Sequence, residues 1–198
     1  MMLVELTEVP DGALPVSEFE DHLRLGTGFD EEDLQDGLLT AQLRAALAAI
    51  EGRIGKAIFE RTFEWSVAAW RDLGQQVLPI APVTGIHTLE IVDADGVDEV
   101  IDAARWRLVA DPHRPRLVST GYMLPAIPVG GQALVTFSAG MGAGWQDLPA
   151  DLTQAVLYLA GSYYEDRHGK SEDGAALPKV VDALIQRYRD VRVFRGMR

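Results

Sequence analysis

Residues 30–68 read DEEDLQDGLLTAQLRAALAAIEGRIGKAIFERTFEWSVA, and within them the chain changes its period. Up to Gly55 the apolar residues Leu34, Leu38, Leu43, Leu47, Ile50 and Ile54 recur at helical spacing. Asp30, Glu31, Glu32 and Asp33 put negative charge at the positive end of that helix's macrodipole. Ala45, Ala46, Ala48 and Ala49 thicken the stripe with small residues that let another helix approach closely. From Thr62 the pattern is different. Phe63, Trp65 and Val67 alternate with Glu64, Ser66 and Ala68, the two-residue period of a half-buried strand.

Working outward, helical signals occupy the ends of the chain and strand signals the middle. Ser17-Glu18-Phe19-Glu20 reads as a capping box, with Phe19 and Leu23 on one face and Gly26 closing the turn. Between residues 62 and 139, Pro79, Pro82, Pro112, Pro115, Pro125 and Pro128 exclude long helices and confine any strand they touch to an edge. Leu89-Glu90-Ile91-Val92 followed by Asp95-Gly96 predicts a strand entering a tight hairpin; residues 106–109 and 133–139 are further strands. Helix resumes after residues 140–144. Pro149 suits a first turn, and Leu152, Val156, Leu159 and Tyr163 form a stripe that Gly169 ends. Residues 170–177 read as a loop. A last helix starts near Pro178, with Val181, Leu184, Ile185 and Tyr188 on one face.

The expected fold class is therefore α+β: an antiparallel helical bundle of about four helices, with an inserted small antiparallel β unit and a C-terminal helix and tail. Residues 1–61 form the N-terminal helical part, 62–140 the inserted β unit, 141–190 the C-terminal helical part and 191–198 a basic tail.

The composition fits. Of 198 residues 47% are apolar and 24% charged, the balance of a soluble globular chain. No apolar run reaches the roughly 18 residues that span a bilayer, so no membrane partner is expected. Met1-Met2-Leu3-Val4-Glu5 lacks the basic and apolar regions of a secretory signal. With no cysteine there is neither a disulfide, a thiolate nucleophile nor a Cys-based zinc site. A formal charge of -12 repels phosphate and argues against a dedicated nucleic-acid binder.

Catalytic and ligand-binding patterns are weak. His22, His87, His113 and His168 are scattered, with no HxxxH or HExxH spacing, and no metal site is expected. Asp93-Ala94-Asp95-Gly96 begins like a calcium loop, but Val97 and Ala104 stand where its fifth and twelfth positions need oxygen ligands, so a hairpin turn is the better reading. Gly140-Met141-Gly142-Ala143-Gly144 matches neither GxGxxG nor GxxxxGK[ST], and residues 145–148 separate it from the next helix. It reads as a β-to-α connection; a small-ligand or nucleotide site there is the alternative. No GxSxG elbow or triad is present, so no catalytic residue, cofactor or enzymatic activity is expected.

The C-terminus is the exception. Residues 179–198 hold six basic residues against Asp182 and Asp190, a net of +4 that leaves -16 on the other 178. Such asymmetry marks an interaction tail. Tyr188, Val191, Val193 and Phe194 can serve as apolar anchors, while Arg187, Arg189, Arg192 and Arg195 pair with acidic groups of a partner.

The order of these signals resembles the head–tail connector, or adaptor, family of long-tailed double-stranded DNA phages and phage-derived gene transfer agents. The resemblance spans nearly the whole chain: Leu3-Val4-Glu5-Leu6-Thr7, Pro15-Val16-Ser17, Glu51-Gly52-Arg53-Ile54-Gly55-Lys56-Ala57-Ile58, Ala81-Pro82-Val83, Phe137-Ser138-Ala139-Gly140-Met141-Gly142, Leu148-Pro149-Ala150-Asp151-Leu152 and Glu165-Asp166-Arg167. It implies a structural protein of the particle neck, present in host cytoplasm during assembly. Such a protein would form a ring, typically a dodecamer, beneath the portal protein, extend the DNA channel without sequence-specific binding, and dock a stopper or tail-side neck protein. It also gives residues 187–195 the portal as partner. Another neck component, a stopper or tail terminator, is the alternative within the same class.

Overall fold

The computed structural model describes residues 1–23, 32–165 and 177–189, and only the helical backbone of residues 32–35. In chain order the strands are β1 (Met2–Glu5), β2 (Arg61–Val67), β3 (Gln75–Val77), β4 (Val83–Val92), β5 (Asp98–Val100), β6 (Trp106–Val109), β7 (Arg116–Ser119) and β8 (Gln132–Ala139). The helices are α1 (Val16–Leu23), α2 (Glu32–Ile54), α3 (Ala150–Glu165) and α4 (Lys179–Ile185). The chain is thus α+β, with two antiparallel sheets ordered β1-β2-β8-β4-β5 and β3-β7-β6. No described helix is long and apolar enough to cross a membrane.

Two compact units divide the chain. The first, residues 1–9 and 56–143, is built around β8, which pairs with β2 on one side and β4 on the other. Alternation decides which side chains turn inward. Phe63, Trp65 and Val67 of β2 are buried as their spacing predicts, and Phe63 stands opposite Phe137 with the rings stacked at 5.9 Å. Leu89, Leu117 and Trp106 fill the same core. Each such fully buried side chain contributes about 1.5–3 kcal/mol of apolar transfer.

The β unit is larger than the sequence implied. Residues 1–9, expected with the N-terminal helical segment, complete it: Met2–Glu5 add an edge strand, the fifth of the sheet, against β2, and Arg61 donates to both carboxylate oxygens of Glu5 at 3.0 Å. All four residues of β1 are exposed, so the strand has no buried period to detect; an open edge of β2 creates it. The second sheet arises because Pro112 and Pro115 sit in the turn between β6 and β7, leaving both strands free to pair. That turn is set by the Asp111 carboxylate, which accepts from the backbone N–H groups of His113 and Arg114 at 2.8 and 2.7 Å. These bonds, that of Arg114 first, hold the Asp111 carboxyl below its ordinary range.

In the second unit α2 packs against α3, α3 against α4, and α1 against both α2 and α3. Leu39, Leu43, Ala46, Leu47, Ile50 and Ile54 are the buried positions of α2. Leu39 takes the place expected of Leu38, which is half-buried, and Ala45 and Ala48 face solvent. Gly55 ends the helix at φ +68, a left-handed conformation that favours glycine. α1 starts earlier than predicted: Phe19 N–H donates to Pro15, so Ser17 lies inside the first turn and not at its cap. Gly26, Gly169 and Leu34's side chain, invoked above, lie outside what is described.

Glycine matters most where the β unit closes. A Cβ on Gly140 would lie 2.2 Å from Glu60 Cα, whereas one on Gly52, within α2, would meet nothing within 4 Å. Gly140→Ala is expected to cost about 3 kcal/mol by backbone displacement, lowering Tm by about 6–12 °C, and Gly52→Ala to raise stability by about 0.5–1 kcal/mol. Thermal unfolding of the two variants checks both signs.

Candidate functional site

The residues singled out at the C-terminus fall into two groups. Arg187, Tyr188 and Arg189 are described; Val191, Arg192, Val193, Phe194 and Arg195 lie outside the described residues. A single turn, Gln186–Tyr188, follows α4 and delivers Arg187 and Tyr188 to the first turn of α3. There Asp151 receives both. Arg187 Nε lies 2.7 Å from Asp151 Oδ2, its Nη2 donates to Oδ1 at 3.0 Å, and Tyr188 OH donates to the same Oδ1 at 2.6 Å. The guanidinium also donates to Tyr188 OH and lies over its ring, 4.7 Å from the centroid. Burial, then the hydrogen bond to Asp151, raises the Tyr188 phenol above its ordinary pKa.

Arg189 extends the arrangement. Its Nη1 is 3.6 Å from Asp182 Oδ1, and Arg53 of α2 approaches the same oxygen at 3.5 Å. Asp182 on α4 therefore faces two arginines, one from each side in sequence. The basic segment is thus tethered at its start by two aspartates, Asp151 and Asp182, whose partners lie 36 and 7 or more residues away. Sequence reading had assigned these arginines outward; it missed Asp151 because helix-start aspartates are common for dipole reasons alone.

The glycine-rich connection is spent on the fold. Gly140 N–H donates to Pro82, Met141 N–H to Ile58, and Gly142 accepts from Glu60 N–H at 2.8 Å. The amides of Gly140 and Met141 are thus bonded to backbone carbonyls and that of Gly144 to the Asp147 carboxylate at 3.0 Å, and α3 starts only at Ala150. Asp93 likewise makes a turn: its Oδ1 accepts from Asp95 and Val97 N–H at 2.9 Å, with Gly96 at φ +82. His22 meets Tyr158 edge-on at 5.4 Å and His87 Nε2 lies 2.7 Å from Ser138 Oγ, while His168 is outside the described residues. Among the described residues no cluster of three or more His, Asp or Glu could hold a metal ion.

No family model and no curated protein matches the chain. Solved structures do. A chain in the neck of an empty GTA particle, computed with C6 symmetry, is 53% identical over 99% of both chains, with a TM-score of 0.90. One in the virion of a native gene transfer agent particle is 54% identical over 99% of both, at 0.87. A third, in the neck of a native GTA particle computed with C12 symmetry, is 50% identical over 99% of both, at 0.85. The fold is that of a structural component of a phage-like particle. The chain belongs to the neck proteins of gene transfer agents.

Removing one hydroxyl should loosen the tether. Tyr188→Phe is expected to cost about 0.5–1.5 kcal/mol at neutral pH, read as a shift in the denaturant midpoint. Because the folded phenol has the higher pKa, its contribution is complete below pH 10 and is lost as pH rises through the folded value. The gap between variant and parent should therefore close above pH 10.

Proposed function

We propose that this chain is the head–tail adaptor of a gene transfer agent or closely related phage-like particle. In this reading many copies form a ring under the portal protein, extend the DNA channel and dock the next neck protein. It acts through protein–protein contacts and not by catalysis, and DNA passes through without sequence-specific binding. The observation that carries the proposal is the 50–54% identity, over 99% of the chain, to components of particles whose necks were computed with sixfold and twelvefold symmetry. A dodecamer suits both symmetries. The four helices serve as the bundle and the two sheets as its insert.

Residues 187–195 are proposed to engage the portal. The tether supports this division of labour: Arg187, Tyr188 and Arg189 are bound to Asp151 and Asp182, which fixes the chain up to residue 189. A partner then meets Val191, Val193 and Phe194 interleaved with Arg192 and Arg195. Each copy can contribute little, since a ring multiplies one weak contact into joint attachment.

Deleting residues 190–198, which leaves the tether intact, tests the reading. The truncated chain should keep the parent's Tm within about 2 °C yet be missing from purified particles and fail to co-purify with the portal protein. Normal incorporation of the truncated chain would defeat the assignment of the tail.

A further inference from the structure

Unit 1 carries two hairpins of opposite charge. From residue 93 to 100 the β4–β5 hairpin holds Asp93, Asp95, Asp98 and Glu99 and no Lys or Arg. From residue 106 to 116 the β6–β7 hairpin holds Arg107, Arg114 and Arg116, three of the seven basic residues between 56 and 143, against Asp111 alone. Asp95, Asp98, Glu99, Arg107 and Arg114 are all exposed. Asp93 and Asp111 are turned into their own turns by backbone N–H groups, so neither tip is organised by its neighbour. Among the described residues no ion pair joins an arginine of one hairpin to an acid of the other.

The basic tip is held at the start of β4: Lys56, 2% exposed and bridged to Ala81, donates its ammonium to the Pro112 carbonyl, and Leu78 N–H donates to Pro115 at 2.9 Å. The acidic tip follows the far end of the same strand, after Val92. The two turns, residues 93–97 and 110–115, are thus anchored at opposite ends of β4, ten residues that span at most about 30 Å and are shortened by irregularities at Val83–Gly85 and Ile86–Thr88. Exposed Val97 and Val100 flank the acids and supply apolar contact area.

A ring of more than two copies closes through a heterologous contact, in which two different patches of one body meet on successive copies, and two patches of opposite charge supply such a pair. We infer that the acidic β4–β5 tip of one copy docks on the basic β6–β7 tip of the next, and that this contact is a lateral interface of the ring. The inference rests on the ring of the proposed function and names its partner as a second copy of this chain.

Charge exchange in assembled particles tests it. Arg107→Glu with Arg114→Glu, or Asp98→Arg with Glu99→Arg, should each lower the copies of this chain per purified particle at least tenfold. All four substitutions together should restore incorporation to within threefold of the parent. One-sided variants that incorporate normally would overturn the inference, as would a fourfold variant that folds but stays excluded, which would assign the basic tip to DNA or another neck protein. A second measurement does not depend on charge. The chain has no cysteine, so a chain carrying both Glu99→Cys and Arg114→Cys, oxidised within particles, should run as a ladder of multimers. Each single-cysteine chain should stay monomeric. A monomeric double variant, or dimers from a single one, overturns the head-to-tail contact. If the unaltered chain is itself absent from the particle neck, the proposed function fails; if it is present and only these tests fail, this inference fails alone.

Discussion

The β unit depends on one close approach: the backbone of Gly140 against that of Glu60. β8 is paired on both edges, with β2, which follows α2, on one side and β4, which follows the residue 68–82 connection, on the other. Where β2 begins and β8 ends, residues 58–60 and 140–142 exchange backbone hydrogen bonds, and nothing larger than hydrogen fits at residue 140. That contact brings the entry and exit of the insert together. It lets residues 56–143 fold around their own core while their flanks belong to the helical unit.

Charge is segregated on two scales. Along the chain, a body of -16 ends in a segment of +4; within unit 1, one hairpin holds four acids and no arginine, and another three arginines against one acid. The tether and the turn geometry use the same device. An aspartate accepts from nearby N–H or guanidinium donors and fixes the backbone, as Asp151 does for Arg187 and Asp111 for the β6–β7 turn. Charged groups across an interface give partner selection and orientation more than raw affinity.

Elements with a strong period were legible in the sequence. α2 announces itself through Leu43, Leu47, Ile50 and Ile54, and β2 through Phe63, Trp65 and Val67, because burial of one face imposes a repeat. β1, β3 and β7 were missed for the converse reason: each is three or four residues long, and β1 is exposed throughout. Their existence depends on an edge offered by another strand, which no local pattern records. The same holds for the candidate site. Its basic residues stand out by composition, but Asp151 and Asp182 were found only once α3, α4 and the Gln186–Tyr188 turn had been brought together.

The length of β4 has a consequence for size. If its two ends are where successive subunits touch, the strand acts as a ruler for the circumference. In the proposed dodecamer, twelve repeats of at most about 30 Å would close at no more than about 360 Å, a circle up to about 115 Å across. Lengthening that strand by two residues would widen such a circle by about 25 Å without altering a single contacting side chain. Bore diameter would then be encoded in backbone length, a quantity that substitutions leave untouched and that only insertions or deletions can change.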